Sequence, residues 1–90
     1  MGTVSVKFKI MPSSPSTNLE KIKEKTKIVL EKHGGKNPSF VEEPIAFGLK
    51  AVIVLFAFSE EKSLDEIESL IAKIPDVSSV QMIDIRRAFG

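Results

Sequence analysis

Eight consecutive apolar residues, Ala51-Val52-Ile53-Val54-Leu55-Phe56-Ala57-Phe58, constrain the fold more than any other stretch of this chain. A strand with one face in water alternates apolar and polar side chains. An unbroken apolar run of strand length therefore predicts a strand covered on both faces, in the middle of a sheet. Immediately before it stands Glu43-Pro44-Ile45-Ala46-Phe47-Gly48-Leu49-Lys50. There a proline that cannot donate a ladder hydrogen bond and a permissive glycine bracket a large aromatic residue. Such a segment interrupts the strand and holds Phe47 at a fixed place.

The rest of the chain supplies partners for that strand. Thr3-Val4-Ser5-Val6-Lys7-Phe8-Lys9-Ile10 alternates strictly and predicts a first strand with Val4, Val6, Phe8 and Ile10 on one face. Met11-Pro12-Ser13-Ser14-Pro15-Ser16 reads as a loop. Thr17 and Glu20 have capping-box spacing, and Leu19, Ile22, Thr26, Val29 and Leu30 recur at helical intervals before Gly34-Gly35, which predicts a helix of about four turns. Its many lysines and glutamates form a solvated face. Ser39-Phe40-Val41-Glu42-Glu43 is a short strand that Pro44 ends or places at a sheet edge. After the charged turn Ser59-Glu60-Glu61-Lys62, Ser63 and Glu66 mark a second capping box. Leu64, Ile67, Leu70, Ile71 and Ile74 then form one apolar stripe, stopped by Pro75-Asp76. Residues 77–87 are β-rich and read as the last strand.

The order β-α-β-β-α-β predicts an α+β, ferredoxin-like two-layer sandwich, with two helices on one face of a four-stranded antiparallel sheet and the first and third strands central. Residues 1–90 are too few for two cores, so a single domain is expected. This architecture leaves one sheet face open. One side of the long strand carries Val52, Val54, Phe56 and Phe58 and the other Ala51, Ile53, Leu55 and Ala57, so whichever side faces it is apolar. Unless the stems of Lys7 and Lys9 cover that side, the open face carries an apolar patch of the kind that binds a partner.

Composition removes several function classes. There is no cysteine, which excludes disulfides, thiolate metal sites and a cysteine nucleophile. The net charge is +1, so no global field steers the chain to nucleic acid or an anionic membrane. No apolar stretch approaches the roughly 20 residues of a membrane span, and the expectation is a cytoplasmic, soluble protein.

The catalytic inventory is thin. His33 is the sole histidine and falls in the last turn of the first helix, so a hydrolase triad has no base to build on. Glu42 and Glu43, adjacent in a strand, point to opposite faces and do not converge. Gly34-Gly35 lacks the flanks of a phosphate-binding loop. An RNA-recognition module of this topology needs glycine and exposed rings on its third strand, which residues 49–56 do not offer. A small-ligand-binding regulatory domain stays open, because such sites are built partly from backbone and subunit interface.

Two stretches carry a family resemblance. Pro44-Ile45-Ala46-Phe47-Gly48-Leu49-Lys50 resembles the Pro-x-Ala-Phe-Gly-Leu-Lys segment of the elongation factor 1-beta guanine-nucleotide-exchange domain family. Met82-Ile83-Asp84-Ile85-Arg86-Arg87 is similar to the final strand of that family's archaeal members, with its aspartate and paired arginines. Met1-Gly2-Thr3-Val4 and Met11-Pro12 are similar to the same members. The resemblance implies a ferredoxin-like domain that releases GDP from the GTPase elongation factor 1-alpha and supports aminoacyl-tRNA delivery to the ribosome. It implies no bond chemistry, cofactor, metal site, direct nucleic-acid contact or membrane association. It places Phe47 at the loop aromatic that meets the GTPase and Lys50 at a basic position after it, with Pro44, Ile45, Ala46 and Gly48 around them. Asp84, Arg86, Arg87 and Phe89 fall in the second contact region. Eukaryotic members carry a lysine just before the C-terminus that reaches the magnesium site. Here Arg86-Arg87-Ala88-Phe89-Gly90 has none; Arg86 or Arg87 is the candidate for that cation, although an arginine fork is not equivalent to a lysine point charge, and the alternative is that the pair binds glutamates or keeps an edge strand soluble.

Overall fold

The computed structural model describes residues 2–59 and 62–88. Met1, Glu60, Glu61, Phe89 and Gly90 lie outside the described residues, among them the middle of the predicted charged turn and the candidate Phe89. The elements run β1 (Thr3–Pro12), α1 (Leu19–Lys32), β2 (Lys36–Pro44), a 3-10 turn (Ala46–Gly48), β3 (Lys50–Ser59), α2 (Leu64–Ala72) and β4 (Val77–Ala88). The strands form one antiparallel sheet in the order β2-β3-β1-β4. This is the expected ferredoxin-like arrangement, with β1 and β3 central.

Alternation in β1 and the apolar run of β3 build the core between sheet and helices. Phe8 stands opposite Val54, and Val6 opposite Phe56. Phe8, Phe56 and Phe58 interlock edge-to-face, with centroids 5.5 Å and 6.1 Å apart. Ile22 and Leu30 of α1 and Ile67 and Ile71 of α2 complete the buried cluster. Fully burying one such side chain is worth about 1.5–3 kcal/mol, so this cluster is the main stabilising term.

The helix ends follow the signals with one correction. Asn18, not Thr17, caps α1: its Oδ1 accepts the Glu20 and Lys21 amides at 3.0 Å and 3.4 Å. Thr17 Oγ1 is turned back into the loop, where it takes the Ser14 amide at 3.3 Å. At the other end, Gly34 has φ +89° and the Gly35 amide donates to the Leu30 carbonyl at 2.7 Å, which closes the helix through a left-handed residue as the glycine pair predicted. Ser63 caps α2 by accepting the Asp65 amide at 3.2 Å. That helix ends at Ala72, and Ile74 is buried from the turn that follows.

Irregularities in two strands were not legible in the spacing. β2 begins at Lys36 rather than Ser39, and its register skips between them, where Asn37 has φ +53° and Pro38 has no amide to donate. β4 is broken in register opposite Lys7 and Phe8, so that Ile83 is an extra residue between Met82 and Asp84.

Candidate functional site

The structure keeps the candidate residues in two groups at opposite ends of the sheet. Pro44 and Lys50 form the last ladder pair of β2 and β3, and the loop between them is closed by Ile45 N–H to the Leu49 carbonyl at 2.8 Å and Leu49 N–H to the Ala46 carbonyl at 3.3 Å. Within this closed loop Phe47 has φ +63° and ψ +30°, and the residue is 93% exposed. Gly48 follows at φ +75°. A left-handed backbone at a bulky aromatic residue is unusual, and an apolar ring held almost wholly in water gives nothing to the core. Pro44, Ala46, Gly48 and Lys50 are also exposed, while Ile45 is half-buried. A cleft of about 200 Å³ separates the Gly48 and Lys50 side of the loop from Pro12, Ser14, Pro15 and Leu19.

Asp84, Arg86 and Arg87 stand at the other end. Arg86 is opposite Ser5, whereas the loop lies beyond the Ile10–Val52 pair. At least five residue steps of β1 separate the groups, about 17 Å at roughly 3.4 Å per residue. The molecule's long axis is 42 Å. Arg86 Nε donates to Asp84 Oδ2 at 3.0 Å on the open face. Arg87 stands opposite Val4, whose side chain belongs to the core, so the two arginines point to different faces.

Between the groups lies the open face. The expected apolar patch exists, but its composition differs from the reading of β3 alone. Val41, Leu55 and Ile83, from three strands, are 60%, 40% and 43% exposed, while Ala51 and Ile53 are buried. They border a shallow groove of about 280 Å³ with Lys7 and Glu43 at its margin. Ile83 reaches it because of the irregularity in β4.

Ion pairs that the sequence alone does not show cluster at the loop's base. Lys23 of α1 donates to Glu42 Oε2 at 2.8 Å and to Glu20 Oε2 at 3.0 Å. The hydrogen bond from Lys23, helped by its charge, holds the Glu42 carboxyl below the ordinary glutamate range, and the bond to Glu42 raises Lys23 in turn. On the opposite face Lys9 Nζ lies 3.4 Å from Glu43 Oε1. Nothing in the spacing marks Lys23, one of several lysines on a solvated helix. His33 Nδ1 lies 3.3 Å from Glu66 Oε1 and links the end of α1 to the start of α2. Among the described residues no group of acidic or histidine side chains is arranged to hold a metal ion.

Residues 5–88 match the EF-1 guanine nucleotide exchange domain family. Elongation factor 1-beta of Methanosarcina barkeri is 46% identical over 97% of this chain and 99% of its own length. Elongation factor 1-beta of Methanocaldococcus jannaschii is 43% identical over 98% and 100%. Among solved structures, BlrP1 BLUF is similar with a TM-score of 0.58 at 13% identity, covering the whole of this chain and 57% of that one, a likeness of fold alone.

Proposed function

The chain belongs to the EF-1 guanine nucleotide exchange domain family, and on that premise we propose that it drives GDP release from elongation factor 1-alpha by engaging that GTPase with both ends of its sheet. Its function is exchange of GDP for GTP in translation elongation. The observation that carries the proposed mode is Phe47: an exposed ring on a closed, left-handed loop is a preformed apolar anchor with no use inside its own fold.

An exchanger acts by linkage rather than by bond chemistry. It binds the nucleotide-free GTPase more tightly than the GDP form, and reciprocity requires that it lower GDP affinity by the same factor. Every ~1.4 kcal/mol of that coupling is worth about tenfold. Phe47 supplies binding at one end, with Pro44, Ile45, Ala46 and Gly48 shaping the loop and Lys50 beside it. At the other end Arg86 or Arg87, which point to different faces, supplies a cation to the phosphate and magnesium surroundings in place of the lysine of eukaryotic relatives, and Phe89 follows in the sequence. Asp84 orients Arg86. The apolar open face lies between the two ends and adds area. The setting is the cytoplasm, where elongation takes place.

Substitution separates the two ends. Because Phe47 is exposed, Phe47→Ala is expected to leave stability within about 0.5 kcal/mol. Loss of a ring buried in the partner, worth about 1.5–3 kcal/mol, lowers kcat/KM for exchange by about tenfold or more. Arg86→Ala with Arg87→Ala is expected to lower the maximal exchange rate. Full exchange activity in both variants contradicts the assignment of roles.

A further inference from the structure

Glu42 and Glu43 close β2 just before the loop and point to opposite faces, and a lysine meets each of them. On the helix side Lys23 ties Glu42 to α1 at 2.8 Å. On the open side Lys9 of β1 reaches Glu43 at 3.4 Å, so this pair spans the intervening strand β3. There the open-face residues Ala51 and Ile53 are buried, and Ala51 is small enough for a lysine stem to cross. Among the described residues β2 is an edge strand with no neighbour beyond it. Its last residue, Pro44, gives the ladder no amide. The two ion pairs therefore tie the end of β2 to α1 on one face and to β1 on the other, at the residues that lead into the loop.

We propose that Glu42 and Glu43 are positioning residues, a clamp on both faces of β2 that fixes the base of the 45–49 loop and so presents Phe47 to a partner protein. This rests on the reading of Phe47 as the anchor. A left-handed aromatic residue persists only where its surroundings over-determine it, and the loop's own two backbone hydrogen bonds need a fixed base to act from. Partly exposed ion pairs add little to global stability, so the clamp acts on loop order and preorganisation rather than on unfolding.

Two readouts test it, one without any partner. In the free protein, Glu42→Gln/Glu43→Gln is expected to speed amide hydrogen exchange at Ile45 and Leu49 by about tenfold with little change in Tm. In the exchange assay the same variant raises KM for the GTPase roughly three- to tenfold while the maximal rate is retained. Glu43→Lys alone has the same effects in part, and Lys9→Glu/Glu43→Lys restores the wild-type values. Unchanged amide protection, unchanged KM, or a charge-swapped pair no better than Glu43→Lys alone overturns the clamp. If the wild-type chain fails to release GDP, the exchange reading falls, and amide protection still decides the clamp.

Discussion

Phe47 and Thr26 are opposite departures from ordinary packing. Phe47 is apolar and exposed, and its bracket of Pro44 and Gly48 was visible in the sequence. Its left-handed backbone was not, because glycine is the residue expected to absorb a positive φ, and here Phe47 and Gly48 both adopt one. Thr26 is polar and fully buried on the inner face of α1, and its Oγ1 has no hydrogen-bond partner among the described residues. The helical stripe correctly placed it inside, but spacing says nothing about whether a hydroxyl will be satisfied. Burying an unpaired hydroxyl is costly, so Thr26→Val, of nearly equal shape, is expected to raise stability by about 1 kcal/mol. For a domain of this size that corresponds to about 4–8 °C in Tm by calorimetry. A lower Tm would mean that the hydroxyl finds a partner in solution.

Elements were legible where periodicity is strong and less so at their ends. Thr17 and Asn18 are both acceptable caps, and their competition is settled by the loop: Thr17 Oγ1 serves Ser14, which leaves Asn18 to serve the helix. Asn18→Ala is accordingly expected to cost about 1 kcal/mol in chemical denaturation, and Thr17→Ala less. The reverse ranking would restore the cap that spacing alone favours. The short β2 strand was underread because Pro38 masks its start, yet its end matters most. Glu42 there faces Lys23 and Glu20 of α1 and Lys50 of β3, while Glu43 meets Lys9 on the other side. A carboxylate held below its ordinary pKa contributes stability that is present above the unfolded value and lost as pH falls through the folded one. The stability difference between wild type and Glu42→Gln, small for so exposed a pair, is therefore expected to be present above pH 4.5 and to fade in more acid solution. A difference that persists under acid contradicts the pairing.

At the scale of the molecule, element order and the two central strands followed from one alternating strand, one continuous apolar strand and two amphipathic helices. Such patterns report burial, which is what decides layer architecture. Strand register was not legible, and with it went the exposure of Ile83, whereas the divergence of Arg86 from Arg87 follows from the alternation of any strand. The sequence also presents the two candidate segments as separate motifs without saying how far apart they fold. The sheet places them at opposite ends, so both are used only by a partner long enough to meet the two together.

The measurement that tests this account most directly is the rate at which a fluorescent GDP leaves elongation factor 1-alpha of the same organism, with and without substoichiometric amounts of this chain. Acceleration in which each molecule of the chain serves many molecules of the GTPase is the predicted result. An unchanged rate, with the GTPase competent and the chain folded, would contradict it.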